Sequence, residues 1–167
     1  MITSFLTLFA ALNRKKVQYL VVGGWAVNLY GVERATGDID LVVYLEQHNL
    51  EKFVEVIKEL GFKPKAPVPL TDFVREEKRQ EWMLDKGMKV FSFFDPVNPF
   101  FLLDVFIDSP FDFQQVYAQR TKIKTGTTHV PVVPLWTLIE MKEKSGRPQD
   151  LADVYYLKQI ESERDDG

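Results

Sequence analysis

The stretch Tyr19-Leu20-Val21-Val22-Gly23-Gly24-Trp25-Ala26-Val27-Asn28-Leu29-Tyr30-Gly31-Val32-Glu33-Arg34-Ala35-Thr36-Gly37-Asp38-Ile39-Asp40-Leu41-Val42-Val43 sets the architecture of the chain. Tyr19 to Val22 is a short apolar, β-rich run ended by two glycines, which reads as a strand. Trp25 to Tyr30 then predicts a short helix closed by Gly31. Ile39 to Leu45 is a second strand, with Asp38 and Asp40 on one face by the two-residue period and Ile39 turned into the core.

Working outward, Leu50 to Leu60 has apolar residues at helical spacing and Gly61 at its C-cap. Pro64, Pro67 and Pro69 mark a loop, and Asp72 to Leu84 predicts a charged, partly exposed helix. The runs Lys89 to Phe94 and Phe100 to Ile107 flank Asp95-Pro96-Val97-Asn98-Pro99, a strand pair with a turn. Eight phenylalanines lie between Phe91 and Phe113, so the core is expected to concentrate there. Lys122 to Val133, broken at Gly126, reads as a hairpin or two edge strands. Pro134–Lys144 and Pro148–Ile160 predict two helices, with Pro148 at a helix-start position. The expected fold class is α/β (α+β), a mixed β-sheet with flanking helices. The whole of 1–167 is read as one domain, with a core over 17–133 and C-terminal helices over 134–161.

Composition narrows the function. The chain has 167 residues, of which 46% are hydrophobic and 27% charged, which excludes wholesale disorder. With 21 Lys plus Arg against 24 Asp plus Glu, the formal charge of -3 gives no global attraction to nucleic acid or anionic membrane. Local basic patches remain, at Arg14, Lys15 and Lys16 or at Arg75, Lys78 and Arg79. Zero cysteines remove disulfides, thiolate zinc sites and cysteine nucleophiles. His48 and His129 are too few for a histidine-rich metal site, so any metal is expected to be a hard cation on oxygen ligands. The apolar start, Met1 to Leu12, lacks a basic leader and is too short for a membrane span. It predicts a helix capped by Thr3 or Ser4, and a cytoplasmic protein without a membrane partner.

Three elements carry chemistry. Gly23-Gly24 stands at a strand-to-helix junction, where free backbone N–H groups favour an anion and glycines allow close approach. The alternative is plain turn chemistry. Fourteen residues on, Asp38 and Asp40 lie roughly 7 Å apart along one strand face and repel unless a cation intervenes. Oxygen ligands of this kind suit Mg²⁺ or Mn²⁺. The alternative is a pair of surface aspartates. Asp104 interrupts the apolar run Phe101-Leu102-Leu103-Asp104-Val105-Phe106-Ile107, where an unpaired carboxylate is costly. A cation, a metal or a strong hydrogen-bond donor is expected beside it; the alternative is a structural ion pair with a buried Arg or Lys. Asp108 shares its face but lies at the solvent end. Jointly the three elements equip a chain for in-line phosphoryl or nucleotidyl transfer with two cations.

The segment Val21 to Val43, with Gly-Gly-Trp-Ala followed by Arg34-Ala35-Thr36-Gly37-Asp38-Ile39-Asp40, resembles the signature of nucleotidyltransferase-fold, DNA polymerase β-like proteins. Its form is similar to small proteins grouped with AbiEii/AbiGii-type toxins, and to lincosamide and aminoglycoside nucleotidyltransferases. The resemblance implies that Asp38, Asp40 and Asp104 bind the metals. It assigns Gly23 and Gly24 to the triphosphate and gives Asp104 a part in deprotonating the acceptor hydroxyl. Arg34 and Thr36 belong to the pattern, as phosphate contacts or as a loop brace.

The run Leu138-Ile139-Glu140-Met141-Lys142, with Arg147-Pro148-Gln149-Asp150-Leu151-Ala152-Asp153 after it, resembles a helix pair of AbiEii-like proteins. Lys142 shares a helical face with Leu135, Leu138 and Ile139, and is expected to reach a triphosphate, pair with an aspartate or snorkel. Asp150 is placed for capping. Asp153 is expected to pair with Arg147 or face solvent. AbiEii-type toxins and antibiotic-modifying enzymes commonly carry an extra C-terminal domain that this chain is expected to lack. That implies a small acceptor surface, one supplied by the two last helices, or one supplied by another subunit.

Two functions follow. The first is an enzyme that moves NMP from an NTP substrate to a hydroxyl on RNA, protein or a small molecule, with toxin-like action ahead of antibiotic modification. The second is a nucleotide-binding or partner-binding module, half of a toxin–antitoxin pair, with little turnover.

Overall fold

A computed structural model describes residues 4–166. The chain opens with α1 (Phe5–Arg14), whose N-cap Ser4 accepts the Thr7 N–H through its side chain. The alternative cap, Thr3, lies outside the described residues. Leu8, Phe9 and Leu12 form the buried stripe of α1. β1 (Tyr19–Val22) follows and runs directly into α2 (Gly23–Leu29). This helix begins two residues earlier than Trp25, so both glycines form its first turn.

β2 (Ile39–Val43) pairs antiparallel with β1, Val22 facing Asp40. The amphipathic helix α3 (Gln47–Glu59) covers the sheet with Leu50, Phe53, Val54, Val56 and Ile57. Its buried Asn49 accepts the Gln18 N–H and donates to the carbonyls of Gln18 and Tyr44. One satisfied side chain thereby clamps the start of β1 to the end of β2.

The proline loop contributes a two-residue edge strand, β3 (Lys63–Pro64). The helix predicted over Asp72 to Leu84 is divided into a 3-10 turn, Leu70–Val74, and α4 (Glu76–Lys86). Arg75, extended between them, breaks the helix, and the buried Arg79 donates to the Phe73 carbonyl to close the corner.

β4 (Val90–Phe94) and β5 (Leu102–Phe106) form the predicted strand pair, β4 starting one residue later than its run and β5 shorter than its run at both ends. The phenylalanines here divide. Phe91 and Phe93 are sealed in the core, whereas Phe100 at the turn is 91% exposed. The core is therefore not concentrated in this segment. It continues through Phe9, Tyr19, Leu20, Leu41 and Phe53, which belong to α1, the central strands and α3.

A short helix, α5 (Phe113–Ala118), capped by Asp112, was not signalled by the sequence periodicity. β6 (Thr121–Thr125) and β7 (Thr128–Val132) make the hairpin turning at Gly126. α6 (Leu135–Ser145) and α7 (Pro148–Asp166) close the described chain. The sheet order is β3-β4-β5-β2-β1-β7-β6, with β1–β7 and β2–β5 parallel and the remaining pairs antiparallel. Seven strands in a mixed sheet with helices packed on it match the expected class. Among the described residues, no helix is long and apolar enough to cross a membrane.

Candidate active site

Strand register builds the site. Asp40 on β2 faces Val22 across β1 and Asp104 across β5, while Ser92 on β4 faces Asp104 from the other side. Residues in register share a sheet face, so Asp40, Asp104 and Ser92 form one row across three strands. Asp38 precedes β2 by one residue and joins that face by the two-residue period. Leu103 and Val105, which alternate with Asp104, are fully buried on the opposite face.

The glycines bring backbone against this row. Gly23 has φ +68, and a Cβ there would collide with the Asp40 carboxylate. A Cβ on Gly24 would stand 2.5 Å from Thr36 Oγ1 and 3.3 Å from an Arg34 guanidinium nitrogen. Both contacts explain why the junction needs residues without side chains. The first-turn N–H groups of α2, lacking intrahelical acceptors, open beside the carboxylates.

Electrostatically the row is short of positive charge. Burial, then Asp104 and Asp38, push the Asp40 carboxyl up to about 7, against the pull of Lys142 and Arg147. Asp38 is raised by burial, by the charge of Asp104 and by a hydrogen bond with it. Ser92 Oγ donates to Asp104 Oδ1 at 2.6 Å, which leaves the second carboxylate oxygen available. No buried Arg or Lys pairs with Asp104 among the described residues. The ion-pair alternative is not realised; the cross-strand neighbour is Ser92, the strong hydrogen-bond donor the sequence also allowed. Asp108 is exposed.

The C-terminal helices supply the cations. Lys142, 8% exposed, lies 3.2 Å from Asp150 and 3.1 Å from Asp153. Arg147 Nε donates to Asp150 at 2.8 Å, and the Arg147 N–H reaches the same oxygen at 3.3 Å. That second bond is the capping geometry expected of a third-position carboxylate. Burial would raise the Asp150 carboxyl, but hydrogen bonds from Arg147, Ser145 and Lys142 outweigh it and hold the group far below the usual range. Asp153 neither pairs with Arg147 nor faces solvent, contrary to expectation. It is 1% exposed and takes Arg34 Nη1 at 2.7 Å along with Lys142, while Gln149 Nε2 donates to its other oxygen at 3.1 Å. Arg34 also donates to the Ala35 carbonyl. Its guanidinium braces the loop leading to Asp38.

Gly23, Gly24, Arg34, Thr36, Asp38, Asp40, Asp104 and Lys142 all line one cleft of about 520 Å³. Arg147, Gln149 and Asp150 complete its wall. One partner was missed from the sequence: Ser92 was signalled only as a polar residue alternating with phenylalanines. Arg147 and Gln149 stood in the C-terminal pattern without being given a place in the site.

The donor set suits a hard cation. Among the described residues, no three Asp, Glu or His side chains make a ligand cage by themselves. Mg²⁺ is ordinarily held by one or two carboxylates plus substrate phosphates and water rather than by a closed protein cage. Mutually repelling carboxylates beside an open backbone meet that description.

No protein-family model matches the chain, and neither does any curated protein sequence. Solved structures do match. The lincosamide antibiotic adenylyltransferase LnuA, with lincomycin bound, superposes at a TM-score of 0.62 and 16% identity, over 93% of this chain and 94% of that one. ANT(2″)-Ia in complex with adenylyl-2″-tobramycin gives 0.55 at 15% identity, over 93% and 89%. An antigenic nucleotidyltransferase-like protein from Paracoccidioides brasiliensis gives 0.54 at 16%, over 90% and 71%. The fold is the nucleotidyltransferase fold. The extra C-terminal domain expected of antibiotic-modifying enzymes is not found in LnuA, 94% of which the superposition covers.

Proposed function

We propose that the protein transfers a nucleoside monophosphate from an NTP to an acceptor hydroxyl, with Mg²⁺ or Mn²⁺. One observation carries the reading: the register that lines Asp40 with Asp104, beside a backbone stripped of side chains at Gly23 and Gly24. Asp38, Asp40 and Asp104 would hold the metal. A divalent cation there would neutralise triphosphate charge and lower the pKa of the acceptor hydroxyl.

Gly23 and Gly24 receive phosphate oxygens on their N–H groups. Lys142 and Arg147 stand on the opposite wall and draw the triphosphate into line. The hydroxyl oxygen forms a bond to the α-phosphorus as the bond to pyrophosphate breaks. Asp104, with one oxygen held by Ser92, takes the hydroxyl proton on the other. Thr36 and Arg34 fix the loop that positions Asp38 and leave the phosphates to the glycines.

For the acceptor, RNA or protein in a toxin-like role is supported by the AbiEii-like pattern of Lys142, Arg147, Asp150 and Asp153, which forms one charge network. A small-molecule acceptor is the second reading, supported by the end-to-end superposition on LnuA. A non-catalytic role beside a partner protein would leave nucleotide binding without transfer.

The test uses α-phosphate-labelled ATP, CTP, GTP and UTP with Mg²⁺ or Mn²⁺, and RNA, protein and small-molecule pools. Label in one pool, lost in Asp40→Asn and Asp104→Asn, is expected. Absence of both transfer and Mg²⁺-dependent NTP binding overturns the reading.

A further inference from the structure

A second and larger cleft, about 770 Å³, opens elsewhere on the molecule, where α1, the end of α5 and the β6–β7 hairpin meet. Arg14, Tyr117, Arg120, Lys122 and His129 line it, and among the described residues in its wall none is acidic. In a chain with a formal charge of -3, a wall of that sign is a local concentration of positive potential.

The structure discriminates between the two basic clusters of the sequence. Arg75 pairs with Glu77 at 2.7 Å, Lys78 lies 3.7 Å from Glu81, and Arg79 is buried against the Phe73 carbonyl. That cluster is neutralised. In the other, Lys15 is held between Glu55 and Glu59 at 3.5 and 3.4 Å. Arg14 instead faces the cleft. Neither it, Arg120 nor Lys122 forms a salt bridge with any described residue.

The wall is also organised. Arg120 Cζ sits 4.0 Å from the Tyr117 ring centroid, and its Nη1 donates to the Tyr117 carbonyl at 2.9 Å. The guanidinium is thereby fixed as a flat, cationic platform. Asn13 donates to the His129 carbonyl at 2.8 Å and accepts the Tyr19 hydroxyl at 3.0 Å, tying the hairpin to α1. Tyr117 is stacked on Phe113 as well as carrying Arg120, so the planar face presented is the guanidinium's. Free cations in the wall and that face match the two needs of single-stranded nucleic acid: charge for the backbone and a planar face for a base. An acidic polypeptide would use the charges but not the stack.

We infer that this cleft binds a single-stranded polynucleotide, its phosphates on Arg14 and Lys122 and a base against the Tyr117–Arg120 stack. The inference goes beyond nucleotidyl transfer and does not depend on it.

Fluorescence anisotropy of a labelled short oligouridylate and oligothymidylate, on the whole chain with EDTA and no NTP, tests it. Two phosphate contacts give a log–log salt slope of about -1.4, or roughly 7-fold weaker binding from about 50 to about 200 mM salt. Arg14→Glu/Lys122→Glu is expected to weaken binding by about tenfold or more and to flatten that slope. Tyr117→Leu keeps every charge and is expected to weaken binding about fivefold through loss of stacking. Arg75→Glu/Lys78→Glu leaves affinity unchanged. Binding of either oligomer in this pattern supports the inference, and their ratio says which of the two polymers is preferred. No binding, binding indifferent to both the charge-reversed and Tyr117→Leu variants, or equal competition by polyglutamate overturns it. Because NTP and metal are absent, none of these outcomes bears on the transfer reaction.

Discussion

The guanidinium of Arg34 lies 2.7 Å from the carboxylate of Asp153, 119 positions later in the chain. This pair joins the loop before Asp38 to the last helix, and Lys142 shares the same carboxylate. Asp153→Ala strips two cations of their common partner in a buried setting. The expected loss is about 3 kcal/mol, read as a lower urea midpoint with an unchanged slope. A midpoint within error of wild type would remove Asp153 from the brace.

The acidic row sets a pH dependence of stability. A carboxyl whose folded-state pKa lies above its unfolded value binds more protons when folded. Stability therefore falls as pH rises between the two values. For Asp40, pushed up to about 7 from the ordinary aspartate value of 3.8, that window runs from about 4 to about 7. In EDTA, Asp40→Asn is expected to melt higher than wild type at pH 8 and to show a shallower decline across the window. The scale is about 2–4 °C per kcal/mol for a chain of this size. Mg²⁺ is expected to raise the melting temperature of wild type at pH 8 more than that of Asp40→Asn. Parallel profiles for the two proteins would contradict the assignment.

Gly23→Ala meets two obstacles, a positive φ and the Asp40 carboxylate. Transfer activity is expected to fall about 100-fold or more, since a displacement of an ångström at the reacting groups costs that much. Gly31→Ala faces no neighbour within 4 Å and pays only for its positive φ, so it loses stability with activity retained. Melting curves and initial rates on both variants separate these effects.

Ser92→Ala withdraws the hydrogen bond from Asp104. The site is partly open, so stability is expected to change little. The turnover number should fall about tenfold, equivalent to roughly 1.4 kcal/mol, with KM for NTP unchanged. Ser92→Thr, which keeps the hydroxyl, should recover most of it. A rise in KM alone would assign Ser92 to binding instead.

Much of this was legible because the chemistry sits at positions where strand period and turn chemistry speak directly. Gly23-Gly24, Asp38, Asp40 and Asp104 all stand out against their apolar surroundings. Ser92 was not legible as a partner, because the turn Asp95 to Pro99 leaves the register of β4 on β5 open until the sheet forms. Asp153 misled for a related reason. Helical spacing offers it Gln149 as a neighbour and sequence proximity offers Arg147, but its strongest partner arrives from a loop more than a hundred residues away. α5 is too short to express a period, and the extended Arg75 divides what reads as one charged helix.

The distance in sequence between Arg34 and Asp153 has a consequence for synthesis. All three acidic side chains of the row emerge by Asp104, yet the brace on the loop before Asp38 needs a residue made 49 positions later. A nascent chain therefore holds its carboxylates before it can hold them still. Activity, where it is found, reports that α7 has been made and docked as well as that the sheet has formed.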